Sequence, residues 1–93
     1  MKSTAMIHET HPDIVKRLRL AEGHLHKVIM MFAEGRSCVD LAQQLYAVER
    51  AIAQAKKQLI HDHVDHCLEI AVSGKGSDAS SVVNEFKAIC RYL

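Results

Sequence analysis

Apolar residues recur at alternating steps of four and three along two long stretches of the chain. An α-helix has 3.6 residues per turn, so this spacing gathers the apolar side chains on one face of a helix. Pro12 suits the first turn of a helix, where its missing N–H is not needed, and Gly35 is a typical helix terminator. The pattern predicts a first helix between Pro12 and Gly35, with an apolar face formed by Ile14, Leu18, Ala21, Leu25, Val28 and Phe32.

A second stretch with the same rhythm starts at about Val39 and contains no Gly or Pro before Gly74. Its apolar face consists of Leu41, Leu45, Val48, Ile52, Ala55 and Leu59. At roughly 1.5 Å per residue this helix is about 50 Å long, which is longer than a domain of this size is wide. After a loop at SGKGSDASS, a short third helix is predicted with the apolar residues Val82, Phe86, Ile89 and Leu93.

These elements predict an all-α fold with three helices, of which the central one is very long. Because one chain cannot cover such a helix, we expect a homo-oligomer built on a helical bundle. Residues 1–11 are polar and aperiodic and are expected to form a flexible tail, followed by a single domain in residues 12–93. The sequence contains neither an apolar signal segment nor a run of the roughly 18 residues that a membrane span requires, so we expect a cytoplasmic protein.

Composition adds two constraints. The 93-residue chain has a formal charge of only +1, so its overall charge does not indicate a nucleic-acid binder. Its three cysteines are irregularly spaced, which is not typical of a disulfide framework. Cys90 lies among apolar residues and is predicted to belong to the core, because free cysteine is among the most buried residue types. Cys38 and Cys67 are the candidates for ligand or redox chemistry.

The segment HDHVDHCLE, residues 61–69, interrupts the apolar pattern with three histidines, a cysteine and three acids. His63 and Cys67 are four residues apart and therefore share one helix face, which is a spacing suited to metal ligands. Cys38 precedes the same helix at roughly 40 Å of axial rise from His63, so only an antiparallel partner chain would bring it close. Such a thiolate and imidazole cluster suits copper, zinc, nickel or cobalt. The alternative is a solvated helix end that is rich in histidine.

Solvated surface is predicted for the other helical residues that could bind metal, namely His24, His26, His61, Asp62, Asp65 and His66. Asp62 and Asp65 could instead orient a ligating imidazole. His8 and His11 lie in the tail, which could fold over a nearby site and add a nitrogen ligand. Nickel and cobalt accept such higher coordination, whereas a closed set of three ligands suits monovalent copper.

Two groups of cations are candidates for contacts with nucleic acid, although a charged run is often only a solvated face. The first helix carries Lys16, Arg17, Arg19 and Lys27, and the second carries Arg50, Lys56 and Lys57. A symmetric oligomer repeats each patch and can present a broad cationic surface to phosphates. The sequence shows no helix-turn-helix spacing, so DNA shape and backbone contacts would dominate over an inserted recognition helix.

Four segments together resemble one bacterial family, and these are RLRLAEGHL, GRSC, AQQLYAVERAI and HDHVDHCL. Over residues 12–93 the chain is similar to the copper-sensitive and nickel/cobalt-sensitive operon repressors of the CsoR/RcnR family. The resemblance implies an all-helical homodimer, built as an antiparallel four-helix bundle, that pairs into a tetramer. It also implies a protein without enzymatic activity or a small-molecule substrate. Such a repressor binds operator DNA, releases it when a metal inducer occupies a site shared between subunits, and controls an efflux system.

The resemblance also assigns roles to residues. The family's inducer positions correspond to Cys38, His63 and Cys67, and its basic DNA-contacting regions include Arg17, Arg19 and Lys56. Copper-sensing members often carry a tyrosine directly before the first ligand cysteine, where this chain has Ser37. The tail resembles that of the nickel/cobalt sensors, which indicates His8 as a fourth ligand. The leading hypothesis is therefore a repressor that responds to nickel or cobalt, and copper(I) is the alternative inducer.

Other functions stay open at this point. Persulfide-sensing members of the family crosslink thiols at the positions of Cys38 and Cys67, and formaldehyde sensors react through the first of these cysteines. His63 would be dispensable in a dithiol switch, so its presence favours a metal. A helical metal-storage protein would bind metal without DNA affinity. A small hydrolase or transferase is disfavoured, because the sequence has neither a glycine-rich loop nor a paired-carboxylate cleft.

Overall fold

The computed structural model describes residues 11–73 and 79–93, without the side chains of Ala71, Ser73 and Ala79. Within these ranges the chain forms three α-helices and no strand: α1 (His11–Ala33), α2 (Cys38–Ser73) and α3 (Ala79–Cys90). The predicted all-α class and the very long central helix are confirmed. Helix α1 begins at His11, which the sequence assigned to the tail, and the rest of that tail lies outside the described residues. Leu93 was predicted to belong to the third helix but lies beyond its end.

The helices pack into two units that share α2. The first unit runs to Lys56 and combines α1 with the first part of α2. The second unit, Lys57–Leu93, combines the rest of α2 with α3. Each unit has its own buried side chains, and each contains a different part of the predicted functional residues.

The core of the first unit is built from two apolar rows that repeat every seven residues. Its buried side chains are Ile14, Ala21 and Val28 from α1 and Leu41, Val48 and Ala55 from α2. A seven-residue repeat keeps one narrow seam of a helix against its neighbour, as in a coiled coil. Because a short connection joins α1 to α2, the two helices run antiparallel as a helical hairpin.

The turn between α1 and α2 provides hydrogen-bond donors for the last carbonyl groups of α1. The amide of Arg36 donates to the carbonyl of Met31 at 3.3 Å, and the amide of Gly35 donates to that of Phe32 at 3.2 Å. These two bonds form a Schellman motif, in which the residue after the helix adopts a left-handed conformation. Gly35 has φ 74° and supplies that conformation without a steric penalty, as the sequence predicted.

The first turn of α2 is capped by Ser37. Its hydroxyl oxygen accepts a hydrogen bond from the backbone amide of Asp40 at 3.1 Å. Arg36 adds ion pairs to the carboxylates of Asp40 at 3.6 Å and Glu34 at 3.7 Å. Cys38 is the first residue of this helix, so these local contacts fix the backbone that carries its thiol.

We expect replacement of Ser37 by alanine to lower the free energy of unfolding by about 1 kcal/mol, because the amide of Asp40 loses its capping acceptor. Aspartate is an equally good capping residue, so Ser37→Asp should retain most of the stability. Urea unfolding of the three proteins tests this expectation. Equal stability of Ser37→Ala and the wild type would show that the cap contributes nothing.

The second unit packs α3 against the last part of α2. Ile60 and Cys67 of α2 are buried, and Val82, Ile89 and Cys90 of α3 are half-buried. Cys90 thus lies at the edge of the core rather than fully inside it, as its intermediate exposure shows. This packing brings one face of α3 close to the histidine-rich segment of α2.

Many large apolar side chains in both units remain exposed in the single chain. In α1 and α2 they include Leu18, Leu20, Leu25, Ile29, Phe32, Leu45, Tyr46, Ile52 and Leu59. A shallow groove of about 560 Å³ on α2 is lined by Ala42, Leu45, Tyr46, Val48, Glu49 and Ile52. Patches of this kind commonly mark protein interfaces. Among the described helices, none has both the length and the apolar character needed to cross a bilayer.

Candidate metal centre

His63, Cys67 and Glu85 form a compact group of metal-ligating side chains in the second unit. His63 and Cys67 lie one helical turn apart on α2, and Glu85 reaches them from α3. One ligand atom from each residue lies within 4.8 Å of the others. Nε2 of His63 lies 3.4 Å from Oε1 of Glu85. A thiol, an imidazole and a carboxylate are therefore gathered at one point.

The three side chains differ in their contact with solvent. Cys67 is only 4% exposed, while the side chains of His63 and Glu85 are 19% and 59% exposed. The sulfur thus lies at the protein-facing end of the group, and the carboxylate lies at its open rim. A fourth ligand or a ligand from another chain would approach from the open side.

Burial raises the pKa of the Cys67 thiol above its ordinary value of 9.0, and the negative charge of Glu85 raises it further. Both effects disfavour the thiolate, because a charge is costly in an apolar environment and repels a like charge. Metal binding requires the thiolate, so binding here would release a proton and become tighter as the pH rises.

The raised pKa of Cys67 predicts a loss of stability in alkaline solution. Above pH 9.0 the unfolded chain gives up the thiol proton while the folded chain still holds it. Unfolding is then favoured, and the free energy of unfolding falls as the pH rises towards the folded pKa. Urea unfolding on both sides of pH 9.0 should show a steeper fall for the wild type than for Cys67→Ala. If the free energies of unfolding of the two proteins changed with pH in parallel, the raised pKa of Cys67 would be contradicted.

Two more ligands are predicted, Cys38 of a second chain and His8 of the tail. Cys38 is exposed at the first residue of α2 and belongs to the first unit. The structure therefore brings together two of the predicted ligands, His63 and Cys67. His8 lies outside the described residues, so its role stays a prediction.

Glu85 was missed by the sequence analysis. It is the only acidic residue of α3, and it lies outside the apolar pattern that predicts this helix. The three-residue offset between Glu85 and the apolar Val82 places the two on one side of the helix. That signal could have marked Glu85 as a residue that faces α2, although the packing partner depends on tertiary structure.

His24 differs from its predicted place on the surface. It is half-buried, and its Nε2 lies 2.6 Å from Oε1 of Gln44 on α2. An amide oxygen can only accept, so the imidazole must donate this hydrogen bond. His26 and His61 are exposed as predicted, whereas His66 is half-buried.

All six predicted DNA-contacting cations are exposed, namely Lys16, Arg17, Arg19, Arg50, Lys56 and Lys57. The first three lie on α1, and the others lie on α2. Arg50 is tied to its own helix, because its guanidinium lies 5.8 Å from the ring centroid of Tyr46 and its Nη1 donates to the hydroxyl of Tyr46 at 3.4 Å. This contact restrains the position of one cation on the outer surface of α2.

Comparison with known proteins agrees with this chemistry. Residues 10–91 match the family described as metal-sensitive transcriptional repressor. The chain is 36% identical over 77 residues to the copper-sensing transcriptional repressor CsoR of Bacillus subtilis, and the match covers 81% of this chain and 76% of that protein. It is 33% identical over 76 residues to the copper-sensing transcriptional repressor RicR of Mycobacterium tuberculosis, with 82% of this chain and 79% of that protein covered.

A third relative is longer. The chain is 36% identical over 66 residues to the copper-sensing transcriptional repressor CsoR of Mycobacterium ulcerans, and the match covers 70% of this chain but only 56% of that protein. The chain thus spans little more than half the length of that relative. No solved structure is similar enough to the chain to count as a match. The similar proteins are repressors rather than enzymes.

Proposed function

Because the chain belongs to the metal-sensitive transcriptional repressor family, we propose that it binds operator DNA in its metal-free form and releases that DNA when a transition metal ion binds. The observation that carries the proposal is the group of His63, Cys67 and Glu85, whose ligand atoms lie within 4.8 Å of one another. A repressor of this kind acts in the cytoplasm, where it controls an efflux system for the metal.

The proposed ligands are His63 and Cys67 of one chain and Cys38 of a second copy. The two thiolates and one imidazole form a soft donor set, which suits copper(I). The exposed position of Cys38 at the start of α2 leaves its thiol accessible to another chain. Glu85 would accept a hydrogen bond from Nε2 of His63 and leave Nδ1 to bind the metal, as outer-shell carboxylates commonly do.

Copper(I) is a better supported inducer than nickel or cobalt. The similar proteins described above are named copper-sensing repressors, which favours the alternative from the sequence analysis over its leading hypothesis. A nickel or cobalt site would need more ligands, and these would come from His8 or from the carboxylate of Glu85. A nickel or cobalt sensor is the second candidate, because Glu85 places an oxygen donor beside the imidazole of His63.

Reactive-thiol chemistry has less support. The nucleophile in thiol chemistry is the thiolate. The raised pKa and deep burial of Cys67 disfavour its attack on persulfides or disulfides. Formaldehyde sensing through the exposed Cys38 would not require the group of His63, Cys67 and Glu85. A metal-storage function is least favoured, because it gives no reason for membership in a repressor family.

The proposed assembly is a homodimer that pairs into a tetramer. The exposed apolar residues of α1 and α2 supply the surface for an antiparallel four-helix bundle. Such an assembly would repeat the exposed cations and present them to the phosphates of double-stranded DNA. The proposed contacts come from Lys16, Arg17, Arg19, Arg50, Lys56 and Lys57.

Metal and DNA must weaken each other reciprocally if this proposal is correct. Linking Cys38 of one subunit to α2 of the other would bias the oligomer towards a conformation that presents its cations poorly to DNA. The conformational equilibrium shifts only as far as the metal's affinities for the two states differ. Metal-free and DNA-bound protein should therefore favour the same conformation.

The test is an anaerobic titration of the reduced protein with copper(I), nickel and cobalt, with and without labelled DNA from upstream of its own gene. Release of DNA by copper(I) alone would support the copper proposal. Release by nickel or cobalt, with absorption bands of thiolate bound to these metals, would favour the second candidate. Metal binding without any affinity for the upstream DNA would point to storage. DNA binding that formaldehyde or persulfide relieves, and no metal does, would indicate a reactive thiol.

A further inference from the structure

Gly23 lies in the interior of α1, where glycine lowers helix stability relative to alanine. Its φ is not positive, so the backbone does not require glycine. A Cβ atom built at Gly23 would meet no atom within 4 Å. In the part of the chain that the structure describes, nothing explains the absence of a side chain at this position.

Gly23 lies within a cationic stripe on the outer face of α1. At about 100° per residue, Lys16, Arg19 and Lys27 surround it on one side of the helix. The buried residues Ile14, Ala21 and Val28 lie on the opposite side. The acidic residues of α1, Asp13 and Glu22, fall to either side of the cationic stripe rather than within it. Bare backbone is therefore exposed in the middle of three positive charges.

A shallow groove of about 480 Å³ continues from Gly23 towards α2. It is lined by Leu20, Gly23, His24, Lys27, Met31 and Gln44. The hydrogen bond from His24 occupies the amide oxygen of Gln44, so the NH₂ group of that amide is left as the donating end. With the ammonium group of Lys27, the groove offers donors to an acceptor-rich ligand.

A different flank of α1 is suited to a second copy of the chain. Val15, Leu18, Leu25 and Ile29 are exposed and lie together on one flank, away from Lys16 and Lys27. Two copies that met symmetrically through the cationic stripe would bring like charges together, which is unfavourable. Leu20 and Met30 are the exposed apolar exceptions on the cationic side of α1. Charge complementarity thus selects a polyanion as the occupant of the stripe.

We propose that the DNA phosphate backbone packs directly against α1 at Gly23, between the charges of Lys16, Arg19 and Lys27. The absence of a Cβ lets the phosphates approach the helix closely, which shortens their distance to the flanking cations. This inference rests on the proposed function, because it names the place on the repressor where operator DNA comes closest. Gly23 lies in this interface, and it contributes by having no side chain that would hold the phosphates away from the helix.

The test compares Gly23→Ala with the wild type by fluorescence anisotropy on duplex DNA from upstream of the gene, over a series of salt concentrations. Alanine fits the helix, so the thermal midpoint should be equal or higher. Operator affinity should nevertheless fall by at least about tenfold, and the salt dependence should weaken as phosphate contacts are lost. Asn84→Ala is the matched control, since it also improves helix propensity at an exposed position but lies on α3. Its DNA affinity should not change.

The outcomes separate the inference from the proposed function. If the wild type binds the upstream DNA and Gly23→Ala binds it with the same affinity, the inference is overturned but the proposed function is not. A loss of affinity that accompanies a change in oligomeric mass would assign Gly23 to a subunit interface and would also overturn it. If the metal-free wild type does not bind the upstream DNA, the proposed function fails and the inference fails with it. Arg19→Ala should lower the salt slope while leaving the oligomeric mass unchanged.

Discussion

Cys38→Ala is expected to bind operator DNA like the wild type but to retain it in the presence of the inducing metal. Cys38 is exposed and lies in the first unit, so its removal leaves no cavity in the described core. In the proposed site it supplies one of only three ligands. The loss of metal affinity should exceed the roughly 10- to 100-fold that removal of an outer-shell partner costs.

Cys90→Ala is the matched control for this experiment, because it removes a different free thiol and leaves the proposed ligands intact. It should respond to metal like the wild type. Metal affinity is measured by competition with a chelator, and DNA release by anisotropy. Metal-driven release that survives in Cys38→Ala would remove Cys38 from the site. Loss of DNA binding with an intact fold would show that Cys38 contributes to the DNA interface instead.

Mixtures of variants test whether the site is shared between chains. A dimer that combines one Cys38→Ala chain with one His63→Ala chain retains one complete ligand set if the ligands come from different chains. Such mixed dimers should recover part of the metal response that each variant lacks alone. No recovery would place the whole ligand set within one chain.

The helices were predictable from the sequence because their apolar spacing is regular and few residues interrupt it. Leu18 and Leu25 belong to the predicted apolar face of α1 but remain exposed, while Ile14, Ala21 and Val28 are buried. The period of the pattern identifies a helix, but it does not say how much of the apolar face is covered within one chain. The part of the apolar face that one chain leaves exposed is the reason to expect a partner chain.

The candidate metal site was predictable only where its residues share one helix. His63 and Cys67 are four residues apart, so their proximity follows from helix geometry. Glu85 is brought to them by the packing of α3, which no local spacing encodes. The contact of His24 was unpredictable for the same reason, since its partner Gln44 comes from another helix. Contacts between helices depend on tertiary structure, and a single sequence leaves them undetermined.

Replacement of Glu85 should reveal whether its carboxylate binds the metal or orients His63. If Glu85 accepts a hydrogen bond from Nε2 of His63, Glu85→Ala should weaken copper(I) binding by about 10- to 100-fold. Glu85→Gln should retain most of the affinity, because its amide oxygen can still accept that bond. The DNA affinity of both metal-free variants should equal that of the wild type.

The opposite pattern identifies a directly bound carboxylate. Glutamine lacks the negative charge of glutamate, so a site that uses Glu85 as a ligand should lose affinity in both variants, and more for nickel and cobalt than for copper(I). Lys87→Gln on α3 is the control for a change of charge that does not touch His63. Removal of the Glu85 charge should also lower the pKa of Cys67, which moves the pH dependence of metal binding to lower pH. Unchanged metal affinity in Glu85→Ala would exclude both roles and would leave His63 and Cys67 as the only ligands from this group.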